Sequence, residues 1–187
     1  MKQILRAIVI CILGLSIVSC APPPPLDPGA YNQLLLNIRD FFTITLLLLG
    51  KSPIFAQCQA ITRLYYGHYH LCRLIYNNIM GRDANNHRDA WDRMQNDIKL
   101  YGEKLKEFRI KYDYTPLNFS EPDVRNDLEF ILNNKDKFDL MVAELKNSIS
   151  SFSTDTTFME VFNKNISEVE ESYECVINAI GDILNNS

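Results

Sequence analysis

The chain has 187 residues, of which 47% are hydrophobic and 22% are charged. This composition excludes an intrinsically disordered chain, and the length suits one domain with a single buried core. The formal net charge of −4 excludes the strongly basic surface with which proteins bind nucleic acid, so no nucleic-acid partner is predicted.

Residues 1–19 have the features of a targeting segment. Lys2 and Arg6 give a positively charged start, and residues 7–17 are an apolar stretch that is too short to span a bilayer. We therefore expect residues 1–19 to be a signal peptide that does not belong to the mature fold.

The end of this segment resembles the cleavage box of bacterial lipoproteins, in which aliphatic and small residues precede a cysteine. The residues that carry the resemblance are Ile17-Val18-Ser19-Cys20. The resemblance implies a diacylglyceryl group on the Cys20 thiol, cleavage before this residue and acylation of the new N-terminus, for example by palmitate. Several acyl chains together anchor a protein stably to a membrane. In enteric bacteria, an Asp directly after the lipidated cysteine is the signal that retains a lipoprotein in the inner membrane. This chain has Ala21 at that position, so we expect the protein to be anchored in the cell outer membrane.

An alternative interpretation is cleavage by an ordinary signal peptidase, which would release a soluble secreted protein. Three Asn-X-Ser sequences would then be acceptors for N-linked glycans, at Asn118, Asn165 and Asn185.

Residues 20–30 are rich in proline and are expected to form a stiff tether. Four consecutive prolines, residues 22–25, and Pro28 favour polyproline geometry, which reaches about 30 Å over this length. Residues 31–187 are expected to fold as one helical domain close to the membrane. Loss of the signal peptide removes two of the 19 basic residues and none of the 23 acidic ones, which leaves a net charge of −6.

The first predicted helix covers residues 28–49. Asp27 followed by Pro28 is a strong helix start, and Gly50 is a typical stop. The apolar run 41–49 could also form a buried strand, but the sequence contains no second strand to pair with it.

The second predicted helix begins after Pro53 and ends near Met80, before Gly81. Its polar side is narrow, so most of the helix is expected to be buried. The residues on that polar side are Gln59, Arg63, His70, Arg73 and Asn77.

Apolar residues then recur every three or four positions along three further segments. These residues are His87, Trp91, Met94, Ile98, Tyr101, Leu105, Phe108 and Tyr112; then Val124, Leu128, Ile131, Phe138, Val142, Leu145, Ile149 and Phe152, interrupted by Lys135; and finally Phe162, Ile166, Val169, Tyr173, Val176, Ile180 and Ile183. Such spacing predicts an all-α fold, an up-down bundle of four long helices with the apolar first helix packed beside or across it.

Capping signals mark the starts of the last two predicted helices. Ser120 precedes Asp123 by three residues, and Thr157 precedes Glu160 by three.

Gly50-Lys51-Ser52 matches the tail of a phosphate-binding loop. The loop needs a glycine near position 45, where this chain has Thr45, so a turn between two helices is the better interpretation.

The sequence from Tyr65 to Cys72 suggests a metal site more strongly than any other segment. His68 and His70 diverge on a helix, whereas His68 and Cys72 are four residues apart and could share an ion. Further ligands are missing apart from His87, so we expect an aromatic core stripe with partly exposed histidines, and no metal.

Charge is unevenly distributed along the chain. Residues 41–82 contain Lys51, Arg63, Arg73 and Arg82 but no acidic residue, whereas the last helix is rich in glutamate. We therefore expect the second helix either to meet the last helix by charge complementarity or to face an acidic partner.

Three cysteines follow Cys20. Cys58 and Cys72 are about 21 Å apart along one predicted helix, too far for a disulfide. Cys58 is the only intramolecular partner at a suitable height for Cys175, but Cys175 is on the polar side of its helix. We predict that Cys58 and Cys72 are buried and reduced, and that Cys175 is free or forms an intermolecular disulfide.

The leading functional hypothesis is a non-catalytic envelope lipoprotein that acts through protein contacts, in assembly, in a secretion apparatus or at the surface. Its partner would be an envelope protein or a second copy. The alternative is a small-ligand or metal-binding lipoprotein centred on the aromatic helix 53–80, with the first helix as a lid. An enzyme ranks third because no converging catalytic groups are found, and no cofactor is predicted.

Overall fold

The computed structural model describes residues 25–51, 53–114, 119–149 and 154–186. All regular structure in these ranges is α-helical, which confirms the all-α fold. The predicted signal peptide and Cys20 lie outside the described residues. The helices of these ranges are α1 Pro28–Leu49, α2 Ile54–Met80, α3 His87–Asp92, α4 Asn96–Tyr114, α5 Glu121–Asn133, α6 Asp136–Ile149 and α7 Thr156–Asn185.

The first helix begins and ends where the sequence predicts. Asp27 is its N-cap, since Asp27 Oδ1 accepts the Ala30 N–H at 2.8 Å, and Pro28 occupies the first turn. Gly50 follows the last helical residue. The predicted range 28–49 is therefore confirmed.

Helix α2 is the helix around which most of the others pack. It contacts α1, α4, α5 and α6, and most of its length is buried, as predicted. Gly81 ends it with a φ of 60°, a left-handed conformation that favours glycine. At Gly67, a Cβ atom would lie 2.4 Å from Phe42 Cε1, so the missing side chain allows α1 and α2 to approach closely.

Helix α1 packs along both α2 and α7. Its inner side buries Tyr31, Leu34, Leu35, Ile38, Phe42 and Leu49. On its outer side, Arg39 Nη1 lies 2.8 Å from Glu168 Oε2 of α7. This ion pair with the acidic last helix therefore comes from α1, whereas charge complementarity with the second helix was one of the two alternatives that the sequence left open.

Two of the four long helices that the repeat predicts are each divided in two. The predicted third helix is divided around Arg93, and the predicted fourth helix around Asn134 and Lys135. At the second division, Asn134 Nδ2 donates to Phe130 O at 2.8 Å and the Asn134 backbone N–H donates to Ile131 O at 3.2 Å. These local bonds replace regular helical ones at Asn134. The prediction of uninterrupted helices is wrong at both divisions.

The repeat nevertheless predicts the buried residues on both sides of each division. Trp91, Met94 and Ile98 span the first division, Ile131 and Phe138 span the second, and all are buried. Each pair of helices therefore keeps the same side toward one core.

One of the two predicted caps is confirmed. Ser120 and Asp123 form a capping box at the start of α5. At the start of α7 the N-cap is Asp155, whose Oδ1 accepts the Thr157 N–H at 2.9 Å. The assignment of Thr157 as the cap is wrong, because a carboxylate two residues earlier takes that role.

The bundle has two ends with different neighbours. At the end that contains the start of α1, the Leu26 N–H donates to Asn77 Oδ1 at 2.9 Å, so the chain enters the fold beside the end of α2. The distal end contains the last turn of α1, the first turns of α2 and the last turn of α4, where Lys111 acts electrostatically on the Cys58 thiol. Helix α1 has 22 residues, so the two ends are about 33 Å apart.

Candidate functional site

Aromatic and basic side chains of α1, α2 and α4 that are half-exposed or exposed form a surface that we call the aromatic face. Its members are Phe41, Arg63, Tyr66, His70, Arg109 and Tyr114. The Phe41 ring stacks on Tyr66 with ring centroids 5.7 Å apart and on His70 with centroids 5.4 Å apart. This stack joins α1 to α2 on the outside of the bundle and presents aromatic surface to solvent.

Arg109 connects this stack to α4. Its Nη2 donates to Tyr66 Oη and to Tyr114 Oη, both at 2.8 Å. Its guanidinium carbon lies 4.7 Å from the centroid of the Tyr114 ring, and Tyr114 is 68% exposed. The cation is therefore held at the surface between two phenols.

The aromatic face has a positive balance of charge. Two of its nearby cations are neutralised locally, because Arg73 Nε donates to Asp83 Oδ1 at 2.7 Å and Arg109 Nε lies 2.9 Å from Asp113 Oδ2. Arg63 forms no ion pair with any residue that the structure describes. Arg63 is thus the cation of this face that remains available to a partner.

Two histidines border the aromatic face in neutral form. Burial, followed by the positive charge of Arg73 and the nearness of the His87 ring, lowers the pKa of His70 to about 4. His70 Nδ1 is buried without a hydrogen-bond partner among the described residues. His87 stacks on Tyr69 with centroids 3.8 Å apart, and burial together with Arg109 lowers its pKa as well.

His68 lies in the interior, fully buried in a box of aromatic rings. The box consists of Phe42, Tyr101, Phe138 and Tyr173. His68 Nδ1 donates to Leu64 O at 2.9 Å, and burial lowers the His68 pKa to about 4. The expectation of partly exposed histidines is therefore wrong for His68, because this ring faces the core and its one strong hydrogen bond is made within the helix.

The predicted aromatic core stripe of α2 is confirmed. Its members Cys58, Tyr65, Tyr69, Cys72 and Tyr76 are all buried. Tyr65 Oη lies 2.6 Å from His87 Nδ1, and burial raises the pKa of this phenol to about 12, so the phenol is the donor.

The pair considered as metal ligands is instead packed in the core. Cys72 Sγ donates to Met141 Sδ at 3.4 Å, and burial raises the pKa of this thiol well above its usual value. No group of three or more His, Cys, Asp or Glu side chains comes together as potential metal ligands within the described ranges.

The segment that resembles a phosphate-binding loop is helical up to Leu49. Thr45 Oγ1 donates to Phe41 O at 2.8 Å, and Gly50 continues the right-handed conformation with a φ of −69°. The backbone amides before Gly50 therefore belong to a helix and are not free to bind phosphate.

A cavity of about 460 Å³ lies between α6 and α7, and we call it the acidic groove. Its lining includes Asp139, Glu170, Glu171 and Glu174, with Lys135, Phe138, Tyr173, Ile177 and Asn178. Lys146 Nζ lies 2.8 Å from Glu170 Oε1, whereas Glu171 and Glu174 form no ion pair within the described ranges. The acidic residues of the last helix are thus partly gathered beside aromatic rings.

The three cysteines of the described residues are all free. Cys58 and Cys72 are fully buried and Cys175 is exposed, in agreement with the burial predicted for each. An intermolecular disulfide at Cys175 stays a prediction.

The alternative of a glycosylated secreted protein fits poorly at one of its three acceptors. Asn165 is only 8% exposed and lies inside α7. Asn118 lies outside the described residues, and so does Cys20, so its lipidation stays a prediction.

Sequence reasoning missed Phe41, Arg109 and Tyr114 as neighbours of Tyr66. Arg109 and Tyr114 lie on the polar side of the predicted third helix, which is ordinarily interpreted as solvent-facing. The repeat shows which side of a helix is buried, but not which helices meet along their polar edges.

Comparison with family models, with curated proteins and with solved structures finds no match to this chain. Among the helices of the described ranges, none has the length and apolarity that crossing a membrane requires. The functional assignment therefore depends on the chain's own residues.

Proposed function

We propose that this protein is a non-catalytic envelope lipoprotein, anchored in the outer membrane through acyl chains on Cys20, that acts by contacting other proteins. In this proposal the helices form a rigid up-down bundle that carries a docking surface. The resemblance of residues 17–20 to the cleavage box of bacterial lipoproteins supports the lipid anchor on Cys20. The distribution of exposed apolar side chains supports a role in binding other proteins.

Exposed apolar side chains at the distal end carry the proposal. Leu47 at the end of α1 is 63% exposed, and Phe55 at the start of α2 is 51% exposed. Apolar side chains exposed together are typical of interaction sites. An anchor at Cys20 would attach the opposite end of the bundle to the bilayer, so this surface would face proteins and not lipid.

Site-specific photo-crosslinking in the bacterium that makes the protein tests this proposal. A photoreactive residue in place of Leu47 or Phe55 is expected to capture one recurrent envelope protein. The same residue in place of Leu100, which is also exposed but lies within α4, is the matched control and should capture none. Identical capture at all three positions, or none at any, would contradict the proposal, as would a Cys20→Ser protein that fractionates with membranes like the wild type.

A small-ligand binder centred on helix 53–80 is the second candidate. It is favoured by the unpartnered His70 Nδ1 inside the aromatic stack. It is weakened by the packing of α1 along α2 and α7, which does not suit a lid. A non-covalent ligand retained in native mass spectrometry would promote this candidate over the first.

A further inference from the structure

The aromatic face and the acidic groove lie on opposite sides of the bundle. His68 and His70 are two residues apart on α2, so their side chains point about 200° apart around the helix axis. His70 stacks on Phe41 of the aromatic face. His68 points through the core toward Phe138 and Tyr173, whose ring centroids are 5.8 Å and 5.4 Å from it and which line the acidic groove.

The two surfaces also lie at the same height along the bundle. Phe41 and Phe42 are consecutive residues of α1, which differ in height by about 1.5 Å. Phe41 belongs to the aromatic face, and the Phe42 ring lies 5.3 Å from the Tyr173 ring at the floor of the acidic groove. A copy displaced sideways, without tilting, would therefore bring its aromatic face level with the groove of its neighbour.

The chemistry of the two surfaces is complementary. The aromatic face offers the unpaired guanidinium of Arg63 beside aromatic rings, and the groove offers Glu171 and Glu174 without ion-pair partners among the described residues. Tyr173 lies in the lining of the groove and is only 4% exposed. Arginine suits such a site, because its guanidinium pairs with carboxylates and stacks on rings.

We infer that copies of this protein associate side by side, with the aromatic face of one copy against the acidic groove of the next. The inference rests on the proposed function in one respect, since a shared membrane anchor holds all copies in the same orientation and at the same height. Because the two surfaces differ and lie on opposite sides, the contact repeats from copy to copy and builds open rows on the membrane.

Sedimentation of the full chain in a density-matched detergent, under reducing conditions, tests the inference. The wild type is expected to form species that grow beyond a dimer as concentration rises and shrink as salt is added. A face variant, Phe41→Ser with Arg63→Ser, and a groove variant, Glu171→Lys with Glu174→Lys, should each weaken association by about tenfold or more. In a mixture of the two variants, the intact aromatic face of the groove variant can still bind the intact groove of the face variant. No further contact is then possible, so the mixture should form a 1:1 complex that does not grow.

The matched control is Glu103→Lys with Glu107→Lys, which makes the same charge change on exposed positions of α4 outside both surfaces. This control should associate like the wild type. The inference would be overturned if the wild type is a monomer or a closed dimer. It would also be overturned if the face and groove variants both behave like the wild type, or if their mixture forms no complex. A monomeric wild type that still gives the Leu47 crosslink would overturn only the row and leave the proposed function standing.

Discussion

The two sides of helix α2 place similar residues in opposite environments. His68 is enclosed by four aromatic rings in the core, whereas His70, two residues later, lies under Phe41 at the edge of the surface. Both histidines are kept neutral by burial, yet only the His70 ring is itself partly exposed at the surface. One helix can therefore hold the core together with one side and contribute to recognition with the other.

The difference between the two sides depends on packing and not on residue type. Phe41 and Phe42 are adjacent and chemically identical, but Phe42 is fully buried against Gly67 and three aromatic rings, while Phe41 is half-exposed. Substitutions at these two positions therefore measure how unequal the two sides are.

The largest expected effect is that of Phe42→Ala. Removal of this ring leaves a cavity in the closest contact between α1 and α2, and should lower the free energy of unfolding by about 3–5 kcal/mol. Phe41→Ala removes a stacked, half-exposed ring and should cost about 1 kcal/mol. Chemical denaturation of both variants measures the two values, and equal losses would show that the two sides do not differ in the way described.

The next largest effect concerns pH. The His68 pKa of about 4 lies below the usual 6.5, so between these values the unfolded chain binds a proton that the fold excludes. Stability is therefore fully present above pH 6.5 and falls as pH decreases toward 4, by about 3 kcal/mol for this residue.

Denaturation midpoints measured from pH 7.5 down to 4.5 check this prediction. His68→Leu should remove the largest single share of the pH dependence in that window, because His68 is the only one of the three histidines that is fully buried. His70→Leu should remove less, because a half-exposed ring can turn toward water when it becomes charged. A larger change for His70→Leu would reverse the assignment of the two sides.

Local signals in the sequence were sufficient for most of the fold. Asp27-Pro28 and Gly81 act within one helical turn, so they fix the ends of α1 and α2 whatever packs against them. The apolar repeat also finds the core side of the last three predicted helices. The repeat does not predict the breaks in the helices at Arg93 and Asn134, because the two helices that flank each break bury the same side.

The candidate site was less accessible from the sequence. The stripe around Tyr65 and Cys72 was recognisable, because helical spacing places these residues on one side. The pairing of Arg109 with Tyr66 joins residues 43 positions apart on two helices, and the ion pair of Arg39 with Glu168 joins residues 129 apart. Such contacts depend on which helices are neighbours, and one sequence without its fold does not determine that.

The smallest expected effect on stability belongs to Cys175, and its chemistry separates the two sides most directly. Cys58 and Cys72 lie on the buried side of α2, whereas Cys175 is exposed on α7. Cys175→Ser should change the free energy of unfolding by less than about 0.5 kcal/mol.

A thiol reagent should label Cys175 rapidly in the native protein. It should label Cys58 and Cys72 only after denaturant is added, because these two thiols are buried and burial raises their pKa. Under oxidising conditions, any disulfide-linked dimer seen in non-reducing electrophoresis should disappear in Cys175→Ser. Rapid labelling of Cys72 in the native protein, or a monomer that contains a Cys58–Cys175 disulfide, would show that the interior of α2 opens far more readily than its packing implies.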